Sequence, residues 1–360
     1  MSEVRAPASL HVIGGRKLGG AERFYVRLVN ALAARGEAVA AFTVAGGEID
    51  AALAPEVMRH YAPMAGVWDL YSAWRIRSIG RSYDIVQTYM GRATRLARWP
   101  MPGRPVHVAR LGGYYNLAGY RHAHAWIGNT RGIRDYLVGA GLPEERVFHI
   151  GNFVDIPARQ NALELQAMRR RLGLPENARP VLGLGRLHPN KGFADLLEAF
   201  ARLPPNLAGG PLFLLMVGDG PLRAALRTRA ESLGIAARVM WAGWQYDPAP
   251  WYQLAELFVC SSHHEPLGNV ILEAWANGVP VLSYAAQGPA ELIEPGVDGV
   301  LAPVGDVEGL ARGIEAALSL APEARARMVE SGRAKLMREF SEAAIVAAYL
   351  ALYRRLLSGL

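Results

Sequence analysis

The sequence predicts an α/β protein built from two doubly wound, mostly parallel sheets. Three observations carry that expectation. Short apolar runs alternate with amphipathic helical stretches along the 360 residues, the pattern of parallel strands joined by crossover helices. The alternation occurs twice, with a break near Gly151–Pro157, in "GNFVDIP". A glycine-bearing turn also follows the first strand of each half, "GGRKLGGAE" from Gly14 and "GRLHPNKGF" from Gly185.

Taken in order, the first half offers strands at Leu10–Ile13, Ala38–Val44, Ile85–Thr88, Val106–Leu111, Ala125–Gly128 and Val147–Ile150. A helix over Ala21–Arg35 places Phe24, Leu28 and Leu32 on one face. These elements define a first domain over residues 1–155. A polar, Arg-rich helix at Asn161–Arg171 leads out of it. The second half offers strands at Val181–Leu184, Leu212–Val217, Val239–Ala242, Leu257–Val259, Val279–Ser283 and Gly299–Leu301, giving a second domain over 175–335. A last helix, 341–357, is expected to pack back on the first domain. Two such domains are expected to face a central cleft, with ligands at the carboxyl ends of the strands.

Composition narrows the function classes. Cys260 is the sole cysteine, which excludes an internal disulfide and a cysteine-based zinc cluster and suits a reducing cytoplasm. No window approaches the ~20 apolar residues of a membrane span. Residues 1–154 hold 19 Lys+Arg against 11 Asp+Glu, and residues 155–360 hold 20 against 21. The net charge of +7 therefore belongs to the first half, which points that half at an anionic partner. Arg and Trp mix in "WDLYSAWRIRSIGRSY", where Trp74, Arg77 and Arg81 share a helical face beside Tyr71. They mix again in "GRATRLARWPMPGR", where Arg92, Arg95, Arg98 and Arg104 surround Trp99. Such stretches suit the headgroup region of an anionic membrane. A solvated arginine face over core aromatics is the plainer alternative. No nucleic-acid module is recognisable, so nucleic acid is not expected as a partner.

Three motifs carry chemistry. In "GGRKLGGAE", Gly14 and Gly15 let the backbone approach a phosphate ahead of a helix N-terminus, although a tight turn alone would also use them. In "GRLHPNKGF", Arg186 and Lys191 are two cations suited to binding a diphosphate and to stabilising charge on a departing nucleotide without a metal. The most specific is "SSHHEPLGNVILEAWANGVPVLS". There Glu265 ends a loop, Gly268, Asn269 and Val270 open a helix, and Glu273 follows within its first turns. The helix start offers N–H donors to phosphate or sugar oxygens. A loop carboxylate can reach sugar hydroxyls, and one on the helix can grip a ribose diol. The histidines show no zinc-type pair and no Asp-x-Asp is present. No metal site and no cofactor are expected.

With "VGDGP" at Val217–Pro221, "AWIGNTRGIRDYL" and "ERVFHIGNFVD" in their places, the chain resembles the retaining GT-B glycosyltransferases of family 4, of the lipopolysaccharide or envelope-glycan type. The resemblance runs over about residues 10–357. It implies two Rossmann-like domains and transfer of a sugar from a nucleotide-sugar donor, UDP-linked rather than GDP-linked, to a glycan or lipid-linked acceptor. It implies that Arg186 and Lys191 hold the donor diphosphate and that Glu265 faces the donor sugar as the catalytic carboxylate. Glu273 would bind ribose, while Gly268, Asn269 and Val270 contact sugar or phosphate and Gly14 and Gly15 pass near the diphosphate. The chain departs from the family's pattern at Arg110, which stands in "VARLGGYYN" where many members have a histidine. The enzyme is expected in the cytoplasm, peripheral on the inner membrane. A sugar-nucleotide epimerase on the same fold and a non-catalytic sugar-nucleotide binder are the alternatives. A nicotinamide oxidoreductase lacks its GxGxxG turn.

Overall fold

The computed structural model describes residues 7–98 and 105–359. The chain divides into two compact units, residues 1–153 with 340–360, and residues 154–339.

The first unit holds seven parallel strands, β1 (Ser9–Ile13), β2 (Val39–Thr43), β3 (Met58–Tyr61), β4 (Ile85–Tyr89), β5 (Val106–Leu111), β6 (Ala125–Gly128) and β7 (Val147–His149). Their order across the sheet is β3-β2-β1-β4-β5-β6-β7. The central strands are buried on both faces, as parallel strands under helices are, but they mix apolar residues with buried polar ones, His11, Gln87, Thr88 and His107 among them. The helix Gly20–Ala34 buries Phe24, Leu28 and Leu32 against one face of this sheet. Beside it lies the helix Glu342–Ser358, which buries Ile345, Val346, Tyr349, Leu352, Tyr353 and Leu356 in the same core. Ser341 caps that helix by accepting from the Ala344 N–H at 3.2 Å.

The second unit follows the same plan. Its strands are β8 (Arg179–Leu184), β9 (Asn206–Leu207), β10 (Gly210–Val217), β11 (Val239–Gly243), β12 (Leu257–Cys260), β13 (Val281–Tyr284) and β14 (Val300–Ala302). The order is β11-β10-β8-β12-β13-β14, with the two-residue β9 added antiparallel to β10. The helix Ala162–Arg171 belongs to this unit and opens with a capping box made by Asn161 and Glu164.

Ignoring β9, both sheets share the order third-second-first-fourth-fifth-sixth of a Rossmann-like fold, to which the first sheet adds β7 at its edge. Each reverses direction of winding once, between β1 and β4 and between β8 and β12. Those reversal points are where ligands of open α/β sheets bind, beyond the carboxyl ends of the two strands.

Two strands escape the sequence pattern. β3 reads Met-Arg-His-Tyr and lies at the sheet edge, with Met58 and Tyr61 exposed, so it has no buried face to impose alternation. β9 is too short to show a period at all. Among the described residues, no helix is long and apolar enough to cross a membrane.

Candidate functional site

In the second unit the reversal point lies between the loop after β8 and the loop after β12. The β8 loop carries Arg186 and Lys191. The β12 loop carries Glu265 and runs into the helix Asn269–Asn277. The strands themselves are neighbours, with Val181 and Leu182 in register with Leu257 and Phe258. Two motifs 74 residues apart thus meet in space.

The meeting is direct. Lys191 Nζ donates to Glu265 Oε2 in an ion pair that is mostly buried. Ser262 Oγ donates to the same oxygen at 3.4 Å, and Ser261 Oγ donates to the Lys191 carbonyl at 3.0 Å. Burial alone would lower the Lys191 ammonium. The charge and hydrogen bond of Glu265 outweigh it, and the net direction is upward. Lys191 therefore stays cationic at neutral pH. The close approach depends on Gly192, whose φ is +59°. A Cβ there would strike the Ser261 carbonyl oxygen, so any other residue would force the two loops apart.

Arg186 is exposed at the rim of the same loop. The sequence shows two similar cations; the structure fixes one against a carboxylate and leaves the other exposed. Glycine is also required at Gly268, which precedes the helix with φ +93° and provides no side-chain cap. The first turn at Asn269 and Val270 thus begins without a side-chain cap from Gly268, as suits a helix end that meets an anion. Glu273 is half-buried on this helix and accepts from the Tyr252 hydroxyl at 3.2 Å. Burial and then the Glu273 charge push the Tyr252 hydroxyl up, so it remains a donor. The hydroxyl also faces the Val270 carbonyl at 3.1 Å, so it ties Glu273 Oε2 to the first turn of the helix.

Sequence reasoning missed three partners here. Tyr252 is one. The others surround His263, whose Nε2 lies 2.7 Å from Asp195 Oδ2, while the Tyr284 hydroxyl donates to that same oxygen at 3.1 Å. This cluster anchors the loop that presents Glu265. No spacing signal connects residues 195, 263 and 284, which come from three separate elements. His188 caps the turn Pro189–Lys191, accepting from the Asn190 N–H at 3.3 Å.

Gly14 and Gly15 lie in the first unit, at its own reversal point. They border a pocket of about 400 Å³ with Arg16, Lys17, Glu22 and Arg92. Met90 enters the helix after β4 with φ +65°, a conformation that costs a non-glycine residue about 1–3 kcal/mol. Arg110 closes β5 and is buried. Its Nε donates to the Tyr349 hydroxyl at 2.7 Å and its Nη2 to Asn152 Oδ1 at 2.5 Å, with the guanidinium 4.0 Å from the Phe24 ring centroid. It pins the C-terminal helix to the sheet. His107 is buried in the middle of the same strand, with Nε2 hydrogen-bonded to Thr88 Oγ1 at 2.9 Å.

Of the basic stretches, Trp68, Tyr71 and Trp74 are 87 %, 56 % and 58 % exposed, so these are not core aromatics. Arg77 lies on the helix Leu70–Gly80 with Tyr71 and Trp74, and Arg81 closes it. Arg95 and Arg98 are exposed, whereas Trp99 and Arg104 lie outside the described residues.

Residues 165–335 match the model of the family described as glycosyl transferases group 1, and residues 18–157 match that of glycosyltransferase family 4. The chain is 36 % identical over 341 residues to the lipopolysaccharide core biosynthesis glycosyltransferase LpsE of Rhizobium meliloti, covering 93 % of this chain and 96 % of the relative. It is 32 % identical over 356 residues to LpsD of the same organism, covering 96 % and 98 %. Among solved structures it resembles Anabaena Alr3699/HepE in complex with UDP-glucose, with a TM-score of 0.81 at 23 % identity, covering 96 % of this chain and 100 % of that one.

Proposed function

The chain belongs to the group 1 glycosyltransferases, and from that premise we propose that it transfers a sugar from a UDP-linked donor to the core of a bacterial lipopolysaccharide, with retention of anomeric configuration and without a metal ion. The lipopolysaccharide assignment draws on two relatives matched nearly end to end, LpsE and LpsD. Both are named as transferases, which disfavours the epimerase reading. The UDP assignment draws on the fold neighbour solved with UDP-glucose.

The observation that carries the mechanism is the Lys191–Glu265 pair at the β8/β12 reversal point. In the proposed donor complex Lys191 and Arg186 receive the diphosphate, with the Asn269 and Val270 helix start at its other side. Glu265, held by Ser262 and Lys191, faces the sugar hydroxyls. Glu273, oriented by Tyr252, takes the ribose diol. As the bond between the anomeric carbon and the phosphate oxygen breaks, charge grows on the diphosphate where Lys191 already stands. Stabilisation fixed in place before the reaction lowers the barrier without reorganisation. The acceptor hydroxyl bonds to the anomeric carbon on the same face, and its proton passes to the departing phosphate oxygen. The protein's share is then positioning and charge.

The first unit is assigned the acceptor. Exposed Trp68, Tyr71 and Trp74 beside Arg77, Arg81, Arg95 and Arg98 are proposed to rest on an anionic membrane, placing the enzyme at the cytoplasmic face of the inner membrane. The reading is tested by incubating the protein with UDP-sugars and deacylated lipopolysaccharide core in EDTA, and following the product's anomeric proton by NMR. A new glycoside with the donor's anomeric configuration is expected. An inverted product, or activity that needs added manganese, would overturn the mechanism.

A further inference from the structure

The reversal point of the first unit is furnished differently from that of the second. The crevice between the loops after β1 and β4 is lined by three cations, Arg16, Lys17 and Arg92, against one carboxylate, Glu22. All three cations are exposed, and the ion pairs among the described residues leave them without an acidic partner. Arg92 is nonetheless held in place, because its Nη1 donates to the carbonyls of Gly14 and Met64, both at 3.1 Å. Glu22 is turned to the glycine loop, where its carboxylate would meet a Cβ at either Gly15 or Gly19. Like charges gathered in a crevice repel one another and favour entry of an anion. Beside them, past the end of β5, Tyr114 and Tyr115 are both partly exposed. Tyr115 stacks on Tyr120 with ring centroids 6.2 Å apart, and the Tyr120 hydroxyl lies 3.3 Å from where a Cβ on Gly91, which lines the crevice, would stand. An aromatic face with a polar edge suits a sugar ring.

We propose that this crevice is an oxyanion subsite for the acceptor, selecting a sugar that bears a carboxylate or a phosphate, with Arg16, Lys17 and Arg92 on the anion and Tyr115 alongside the ring. Calling the ligand an acceptor rests on the glycosyltransferase reading; the anion preference does not. Arginine supplies planar two-pronged donors that match either oxyanion. Lys17 adds a point charge on the flexible side of the loop.

The test compares glucose, glucuronate and glucose 6-phosphate, titrated separately into the full chain by calorimetry or ligand-observed NMR. The same titrations are made with the double variant Arg16→Gln/Lys17→Gln and with UDP. Both anionic sugars are expected to bind at least about tenfold more tightly than glucose, the preference weakening with added salt as exposed charges are screened. In the double variant the preference should collapse while UDP affinity is retained. Preference for only one of the two anionic sugars narrows the subsite to that oxyanion. Equal affinities for all three sugars, no binding of any, or a preference untouched by the double variant would overturn the proposal. So would an equal loss of UDP affinity in the variant, since the cations would then be serving the donor diphosphate. Failure of the glycosyltransferase reading has a different signature: neither UDP nor GDP binds the wild-type chain, whereas the anionic sugars still discriminate.

Discussion

The two units share a strand order and a reversal point, yet they place charge in opposite ways. In the second unit, Lys191 is mostly buried, already paired with Glu265, and held by loops that Gly192 brings into contact. In the first, Arg16, Lys17 and Arg92 stand exposed around a crevice. The interiors differ as well. Beneath the second site the buried polar groups are the short serine side chains Ser261, Ser262 and Ser283, with Ser283 Oγ donating to the Cys260 carbonyl at 3.2 Å. Beneath the first, His11, Gln87, Tyr89 and Tyr353 form a buried polar chain: His11 Nδ1 is 2.9 Å from the Tyr89 hydroxyl, and Tyr353 donates to Gln87 Oε1 at 2.7 Å. One topology thus carries two differently charged reversal points, and under the proposed function the residues on their four loops set which ligand each takes.

The largest effect that would sharpen this comparison is at Glu265. Glu265→Gln should lower kcat by about 10²–10³-fold, the scale of losing one preorganised transition-state contact, with UDP affinity nearly intact. Lys191→Ala should lose a comparable factor in kcat/KM if, as proposed, its charge acts on the departing diphosphate. Steady-state kinetics checks both, and wild-type values in either variant would break the assignment of the second unit to the donor.

Glu273→Ala should weaken UDP binding by about tenfold, in line with one charge-assisted hydrogen bond. Removing its orienting partner with Tyr252→Phe should have a smaller effect in the same direction. Calorimetry with UDP reads both. If Glu273→Ala changed kcat alone, the ribose assignment would fail.

Much of this was legible in the sequence, and the reasons are local. Strands such as Gly210–Val217 and Leu257–Cys260 appear as apolar runs, and the helix containing Phe24, Leu28 and Leu32 appears by its period. The edge strand Met58–Tyr61 does not, because nothing packs on both sides of it. Lys191 and Glu265 could each be singled out by motif, but their pairing joins loops 74 residues apart and no spacing encodes it. The same holds for Tyr252 with Glu273 and for Asp195 with His263 and Tyr284. Arg110 stood out as a departure from the family's pattern. Its partners Asn152 and Tyr349, the latter 239 residues away, became visible only in three dimensions.

A pH effect separates the two interiors. Burial pushes His11 down to about 3 and lowers His107 well below its usual range. Both are neutral when folded and protonate when the chain unfolds below about pH 6.5. Their stabilising contribution is thus complete above that pH and is lost as pH falls from 6.5 towards 3. Thermal melts at pH 7 and pH 5 should show the first unit losing more stability than the second. His11→Asn should flatten that dependence without abolishing it, since His107 remains. An unchanged slope in the variant would remove His11 from the explanation.

The smallest effect concerns the membrane. Arg98→Gln should weaken cosedimentation with anionic vesicles by about fivefold at physiological salt, about 1 kcal/mol being the scale per surface cation. Equal pelleting with neutral vesicles would assign the exposed tryptophans another role.

The division of labour between the units is tested most directly by photolabelling the full chain with 5-azido-UDP-glucose and mapping the modified peptides by mass spectrometry. Label confined to residues 154–339, competed by UDP and strongly reduced in Glu273→Ala, is the expected result. Label concentrated in the peptides around Gly14–Glu22 or Tyr89–Arg98, indifferent to Glu273, would mean that the exposed cations of the first unit, and not the Lys191–Glu265 pair, hold the donor.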